Sequence, residues 1–331
     1  FYKKINYLNL NKNYMPLPFF TISLDFELFW GMRDVTTIEK YGKNILQGRK
    51  AIPEILKIFK ERDIHATWGV VGMITFSEKK DLLDSLPDIF PEYLDKNLNP
   101  YQDLNKIGKN EKEDPYHYGY SLVNQIIDTK GMELASHSFS HFYCKEKNFS
   151  EESFDSDLKA SISSLNNLGV KPKSYIFCRN QFEDFHLNVL SNNGFKTFRG
   201  NEKGRIFDSK ANKLFRGIRL LDTYLNLSGD NFSELSSKSN LVNVPSSRFF
   251  RPVQTNFLEK LKVRRIIKSM SQAAKNNQGF HLWWHPHNFG NNLNLSIISL
   301  IEILDHFRIL NEKYGMESLT MYEASNLLSN D

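Results

Sequence analysis

The chain has 331 residues, 40% hydrophobic and 24% charged, which is ordinary globular composition with enough length to bury a sizeable core. Its 43 basic and 38 acidic residues leave a formal charge of +5 that is spread rather than blocked, which argues against a nucleic-acid partner. Two cysteines, Cys144 and Cys178, exclude a disulfide framework, and no apolar run is long enough to span a bilayer.

Residues 1–18 carry Lys3, Lys4, Lys12 and several Asn, without an apolar core or a small-residue cleavage site. They read as an N-terminal extension ahead of one domain, 19–331, and with no export signal the expected location is cytoplasmic. Phe19-Phe20-Thr21-Ile22-Ser23-Leu24-Asp25 predicts a buried strand ending at an acid. A helix is expected over residues 45–61, with Pro53 in or near its first turn. Residues 65–72 predict a second strand. The polar stretch 76–120 reads as short helices and loop over one mouth of the fold, with Tyr116, Tyr118 and Tyr120 suited either to a sugar ring or to loop packing. Residues 131–136 predict a third strand that leads into His137 and His141.

Residues 150–168 give the clearest helix: Ser150 as N-cap, Glu151 and Glu152 in the first turn, and Phe154, Leu158, Ile162, Leu165 and Leu168 as a core stripe. A strand over 174–179, a helix over 184–190 and a strand over 196–199 continue the alternation. Residues 200–240 carry no clear pattern. A strand over 241–245, a helix over 256–275, a strand over 279–285 and a long helix over 295–314 follow. The densest basic run, 259–265, falls in the third of these helices and reads as a solvated face. Strand–helix alternation predicts a parallel sheet, and reactive groups at several strand ends fit the carboxyl-end face of a β/α barrel.

Two histidines four apart, His137 and His141, can put both rings on one side of a helical turn, a workable bite for zinc. Asp25 and Glu27 are two apart, so in an extended strand they share a face, where one can ligate a metal and the other accept a proton. The same pair can also serve as a capping acid beside a salt-bridged one. Arg179 ends a predicted strand and suits either an ion pair or a catalytic role. In the late strand His281 reads as structural and His285, next to Pro286 and His287, as the group for proton transfer. No Gly-x-Ser-x-Gly elbow and no nucleotide-binding glycine loop is present, and Cys178 reads as an inert buried thiol.

In order, these motifs resemble those of the polysaccharide deacetylases, the NodB-homology group. Thr21 to Glu27 stands where that family has Thr-Phe-Asp-Asp-Gly, and Ala66 to Gly72 resembles its Ala-Thr-Phe-Phe-x-x-Gly strand. His137-Ser138-Phe139-Ser140-His141 matches its histidine motif, Arg179-Asn180-Gln181-Phe182 falls at its Arg-x-Pro-Tyr, and Leu282-Trp283-Trp284-His285 matches its Leu-x-x-His. Phe26 takes the place of the family's second Asp, and the Pro after the arginine is missing, which marks a divergent branch.

The resemblance implies a distorted (β/α)7 barrel and metal-dependent removal of an N-acyl group, normally acetyl, from an amino sugar. It implies Asp25 as base, Arg179 as the group orienting it, and His285 as general acid. The divalent ion, zinc by the chemistry of the ligands, would be held by His137, His141 and an acid, with Glu27 the nearest substitute for the missing Asp and Asp25 itself the alternative if Glu27 does not reach. The expected substrate is a nucleotide-linked or lipid-linked precursor of a surface polysaccharide. The alternatives are a different amide hydrolase on the same barrel, such as a deformylase, and a non-catalytic carbohydrate-binding relative.

Overall fold

The computed structural model describes residues 17–202 and 213–329, so most of the expected extension 1–18 and part of 200–240 lie outside the described residues. Strand β1 (Phe19–Phe26) is buried throughout, which is why it reads as a near-continuous apolar run. Helix α1 (Ile38–Glu61) starts earlier than its pattern suggested, so Pro53 lies inside it rather than in the first turn. The helix continues through the proline because Ile45, Ile52, Ile55 and Phe59, on both sides of it, are fully buried.

The chain then runs through β2 (Ala66–Val70), α2 (Lys79–Leu83), α3 (Tyr120–Ile127) and β3 (Met132–Ser136). Helix α4 (Glu151–Asn166) follows, capped by reciprocal hydrogen bonds between Ser150 and Ser153. Next come β4 (Ser174–Tyr175), α5 (Asp184–Asn192), β5 (Thr197–Phe198), α6 (Lys213–Asp222), β6 (Ser236–Lys238), β7 (Leu241–Asn243) and β8 (Arg248–Phe249). The chain ends with α7 (Asn256–Lys275), β9 (Phe280–Trp284), α8 (Leu293–Tyr314), β10 (Glu317–Ser318) and α9 (Met321–Ser329). Strand β4 is much shorter than the expected 174–179, because the backbone leaves the sheet before Arg179.

The strands lie in the order β6-β7-β5-β4-β3-β2-β1-β9-β8, with β10 beside β1. Every pairing is parallel except β6 with β7. The segment from β7 to β8 bridges the two ends of this curled sheet. Val244 N donates to Phe198 O and Ser246 N to Gly200 O on one side, and Ser247 N donates to His281 O on the other. Counting β7 and β8 as one bent strand, the parallel barrel has seven staves, the distorted (β/α)7 architecture.

Only part of the basic run is the solvated face expected of it: Lys260 and Arg264 are exposed, but the other two basic residues are not. Lys262 pairs with Glu259 at 2.8 Å and Arg265 with Asp230 at 3.1 Å, and the Lys262, Glu259 and Arg265 side chains are almost fully buried. Tyr118 is buried, its hydroxyl donating to Gly108 O, so it packs the loop and does not meet a ligand. Among the described residues no helix is long and apolar enough to cross a membrane.

Candidate active site

Side chains on β1 alternate, so Ser23, Asp25 and, just past the strand, Glu27 project to the same side. Asp25 and Glu27 are both 3% exposed, a costly place for two carboxylates unless cations meet them. Asp25 is met by Arg199 at the end of β5, whose two terminal nitrogens reach its oxygens at 2.6 and 2.7 Å. Arg199 also donates to Ser23 Oγ and Asn180 Oδ1, and its guanidinium lies 4.4 Å from the ring centroid of Trp283. Burial pushes the Asp25 carboxyl up, but Arg199, with His137 and His285 adding to it, more than offsets this and holds it below its ordinary value.

Arg179 does not do this. It and Asn180 adopt left-handed backbone, with φ of 54° and 53°, and the side chain turns outward to Asp34, with Glu146 at 3.7 Å. Its guanidinium stacks 4.3 Å over Tyr143, a ring packed edge-on against His141. Arg179 therefore supports the histidine loop, and the expected contact with Asp25 is made by Arg199 instead. A sequence signal was available: Arg199, like Arg179, ends a predicted strand.

His137 and His141 lie on a loop after β3, not on the helical turn their spacing allowed. Ser138 and His141 are both left-handed, with φ of 61° and 59°. Such conformations cost roughly 1 kcal/mol or more each and persist because surrounding contacts enforce them. Here the enforcer is Asp157 of α4, which accepts from Phe139 N at 2.7 Å and Ser140 N at 3.1 Å, and from the Ser140 hydroxyl. From the insertion, the Tyr93 hydroxyl accepts from Tyr143 N, so residues 76–120 brace this loop from outside.

Within the site, Glu27 Oε2 stands 3.4 Å from His137 Nε2 and 3.1 Å from His141 Nε2. His137 Nδ1 donates to Ile176 O at 2.8 Å, which leaves Nε2 of the neutral ring as a lone pair aimed at a carboxylate oxygen. With the ring neutral, two acceptors face each other, so the gap takes a positive charge, either a proton on the imidazole or a metal ion. His137 Nε2 and His141 Nδ1 are buried without hydrogen-bond partners. Burial opposes charge on the rings, yet the neighbouring acids and thiol raise His137 well above its ordinary value and His141 to about 9. The two imidazole donors and the Cys178 sulfur, all buried, lie within 4.8 Å of one another, so a His–His–Cys cluster able to bind a metal is also present. Glu27 is seated over Gly31, where a Cβ would fall 2.0 Å from its carboxyl carbon.

His285, at the end of β9, has Nε2 at 3.7 Å from both Asp25 Oδ2 and Glu27 Oε1. Its Nδ1 bonds Asn288 Oδ1 at 3.2 Å, and its ring stacks on His287 at 4.9 Å. The Pro286–Asn291 turn is held tightly to α1 because Gly48 has no side chain; a Cβ there would be 2.7 Å from His287 Cα. His281 is buried and bonds Ser23 Oγ at 2.8 Å, behind the Arg199 clamp. Burial, with Arg199 nearby, pulls its imidazole down to about 3, so it is a neutral structural group.

The fold is that of the polysaccharide deacetylases. Neither a family model nor a curated protein matches the sequence, but solved structures do. A Mycobacterium smegmatis protein described as a polysaccharide deacetylase is 13% identical with a TM-score of 0.61, over 96% of this chain and 93% of its own. One from Pseudomonas aeruginosa PAO1, described likewise, is 10% identical with a TM-score of 0.58, over 96% and 92%. An allantoinase, PuuE, is 11% identical with a TM-score of 0.56, over 96% and 91%.

Proposed function

We propose that this protein is a metal-dependent amidohydrolase that removes an N-acyl group, acetyl in the simplest case, from an amino sugar. The observation that carries the reading is the pairing of two differently furnished acids. Asp25 is locked by a guanidinium, while Glu27 faces two imidazole nitrogens across a gap that suits a cation. Glu27, His137 and His141 would hold the divalent ion, zinc being the best match to this donor set. When bound there, such an ion supplies Lewis acidity toward the acyl carbonyl.

The chain's own groups then divide the work. Asp25, kept ionised and aimed by Arg199, takes the proton from the attacking water. His285 reaches the same space through Nε2 while Asn288 fixes its other nitrogen, and it gives the proton to the departing amine. Without that proton the amine is a very poor leaving group. The allantoinase of the same fold supports a second reading, hydrolysis of a small amide by these groups. Location in the cytoplasm and a role in making a surface polysaccharide belong to the proposal as well.

The test is metal analysis of the purified protein with acetate release from N-acetylglucosamine derivatives and, separately, turnover of allantoin. Near-stoichiometric zinc, lost in a His137→Ala/His141→Ala variant together with acetate release, is the expected result. Protein that takes up no metal yet binds sugar sinks the hydrolase reading.

A further inference from the structure

Next to His285 and Asn180 lies a cleft of about 400 Å³ that the proposed chemistry leaves unused. Its floor is aromatic. Phe249 and Trp283 have ring centroids 4.5 Å apart, and each touches the His285 ring, at 5.9 and 5.7 Å. Its wall is cationic, with Arg219 of α6 and Arg251 after β8 joining Arg179. The neighbouring Arg248 and Arg265 are neutralised by Asp222 and Asp230. Among the described residues, Arg219 and Arg251 have no carboxylate in ion-pair contact.

Arg251 is partly buried, with its guanidinium 5.5 Å from the Phe249 ring centroid, and burial pulls it below its ordinary value. A guanidinium that is desolvated but not neutralised favours an anionic ligand over water. Glu202 also lines the cleft, held by Trp283 Nε1 at 3.4 Å. Even with Glu202 ionised, Arg219 and Arg251 leave the wall positive. An aromatic floor beside paired guanidinia suits a sugar ring joined to a phosphate, since planar forks match phosphate oxygens.

Resting on the deacylase reading, we propose that the cleft binds the phosphate of a sugar phosphate or sugar phosphodiester whose acyl group lies at Asp25 and His285. The carrier can be water-soluble or a lipid. Leu220 and Leu221, next to Arg219 on α6, are 45% and 53% exposed, so a lipid arm belongs in the test.

Calorimetry on the zinc-loaded protein compares N-acetylglucosamine, its 1-phosphate and the dodecyl phosphodiester of that phosphate, with acetate release followed on the same samples. The 1-phosphate is expected to bind at least tenfold more tightly than the neutral sugar, an advantage that shrinks with added salt. Arg219→Gln and Arg251→Gln are expected to remove it while neutral-sugar affinity holds, and Arg251→Lys to restore part of it. Equal affinities, no binding of the phosphate, or an advantage that survives the double variant overturns the proposal. The last of these would place the phosphate on the metal. A further gain with the dodecyl diester assigns the source to a lipid, and no gain assigns it to a soluble sugar phosphate. Deacylation of both sugars with no preference sinks the cleft and spares the hydrolase. Arginine-dependent phosphate binding without acetate release does the reverse.

Discussion

Arg199 holds both oxygens of Asp25, at 2.6 and 2.7 Å, in a pair almost sealed from solvent. That geometry divides the two acids at the end of β1. Asp25 is committed to an arginine while Glu27 faces His137 and His141, which favours Glu27 as the acid of the proposed metal site.

Removing Arg199 should therefore do two things at once. Breaking a buried pair from one side costs about 3–5 kcal/mol. It also lets the Asp25 carboxyl rise, because its depression comes from Arg199 working against burial. A base acts only above its pKa, so the acidic limb of the kcat/KM profile should move to higher pH in Arg199→Gln. In Arg179→Gln, where the lost partners are Asp34 and Glu146, the limb should stay where it is. A limb shift in the second variant and not the first would reinstate Arg179 as the orienting group.

The third metal ligand can be decided by zinc titration. Glu27→Gln should weaken binding by about 100-fold or more, whereas Cys178→Ser should change it far less, because its thiol is engaged with the His137 carbonyl oxygen at 3.4 Å. The opposite ranking would make the His–His–Cys cluster the true site.

Gly31→Ala tests the same point without touching a ligand. The added Cβ would overlap the Glu27 carboxyl group, the mobile end of a flexible side chain. The expected variant keeps its fold and thermal midpoint within a few degrees but holds zinc poorly. Unchanged zinc affinity would show that Glu27 is not a ligand.

His281 predicts how stability depends on pH. Its folded pKa is depressed, to about 3 from 6.5, by burial and by Arg199. Between those values the unfolded chain binds a proton that the folded chain refuses. Its contribution is thus full above pH 6.5 and is lost as pH falls toward 3, by up to about 1.4 kcal/mol per unit. Urea unfolding of metal-free protein across this range should show a slope to which the buried His186 and His287 also contribute, and His281→Gln should lessen it. An equal slope in both proteins would rule the histidine out as its source.

Much of this was legible in the sequence because it is written locally. Asp25 and Glu27 at the end of β1, the histidine pair after β3 and His285 after β9 sit at the ends of strong strand patterns, and the α4 helix carries a clear cap and stripe. What stayed hidden depends on the backbone leaving its pattern. Leu28, Ser138, His141, Arg179 and Asn180 all take left-handed conformations, uncommon outside glycine and marked by no hydrophobic pattern, although Asn and His adopt them more readily than most. Those turns put the histidines on a loop rather than a helix. They also send Arg179 outward, leaving Arg199, 20 positions further along the chain, to reach Asp25. The burial of Lys262 and Arg265 was hidden likewise, because their acidic partners come partly from another segment.

The strand pair that seams the barrel bears on how this chain can be cut. Residues 244–247 are all buried and satisfy β5 on one side and β9 on the other. A fragment ending at residue 240 would leave β5 bare on one flank and β1, stripped of β9 and β10, bare on the other. Both are apolar edges whose free amides and carbonyls invite pairing with a second chain. Such a fragment should aggregate even though Asp25, Glu27, His137, His141 and Arg199 are all within it.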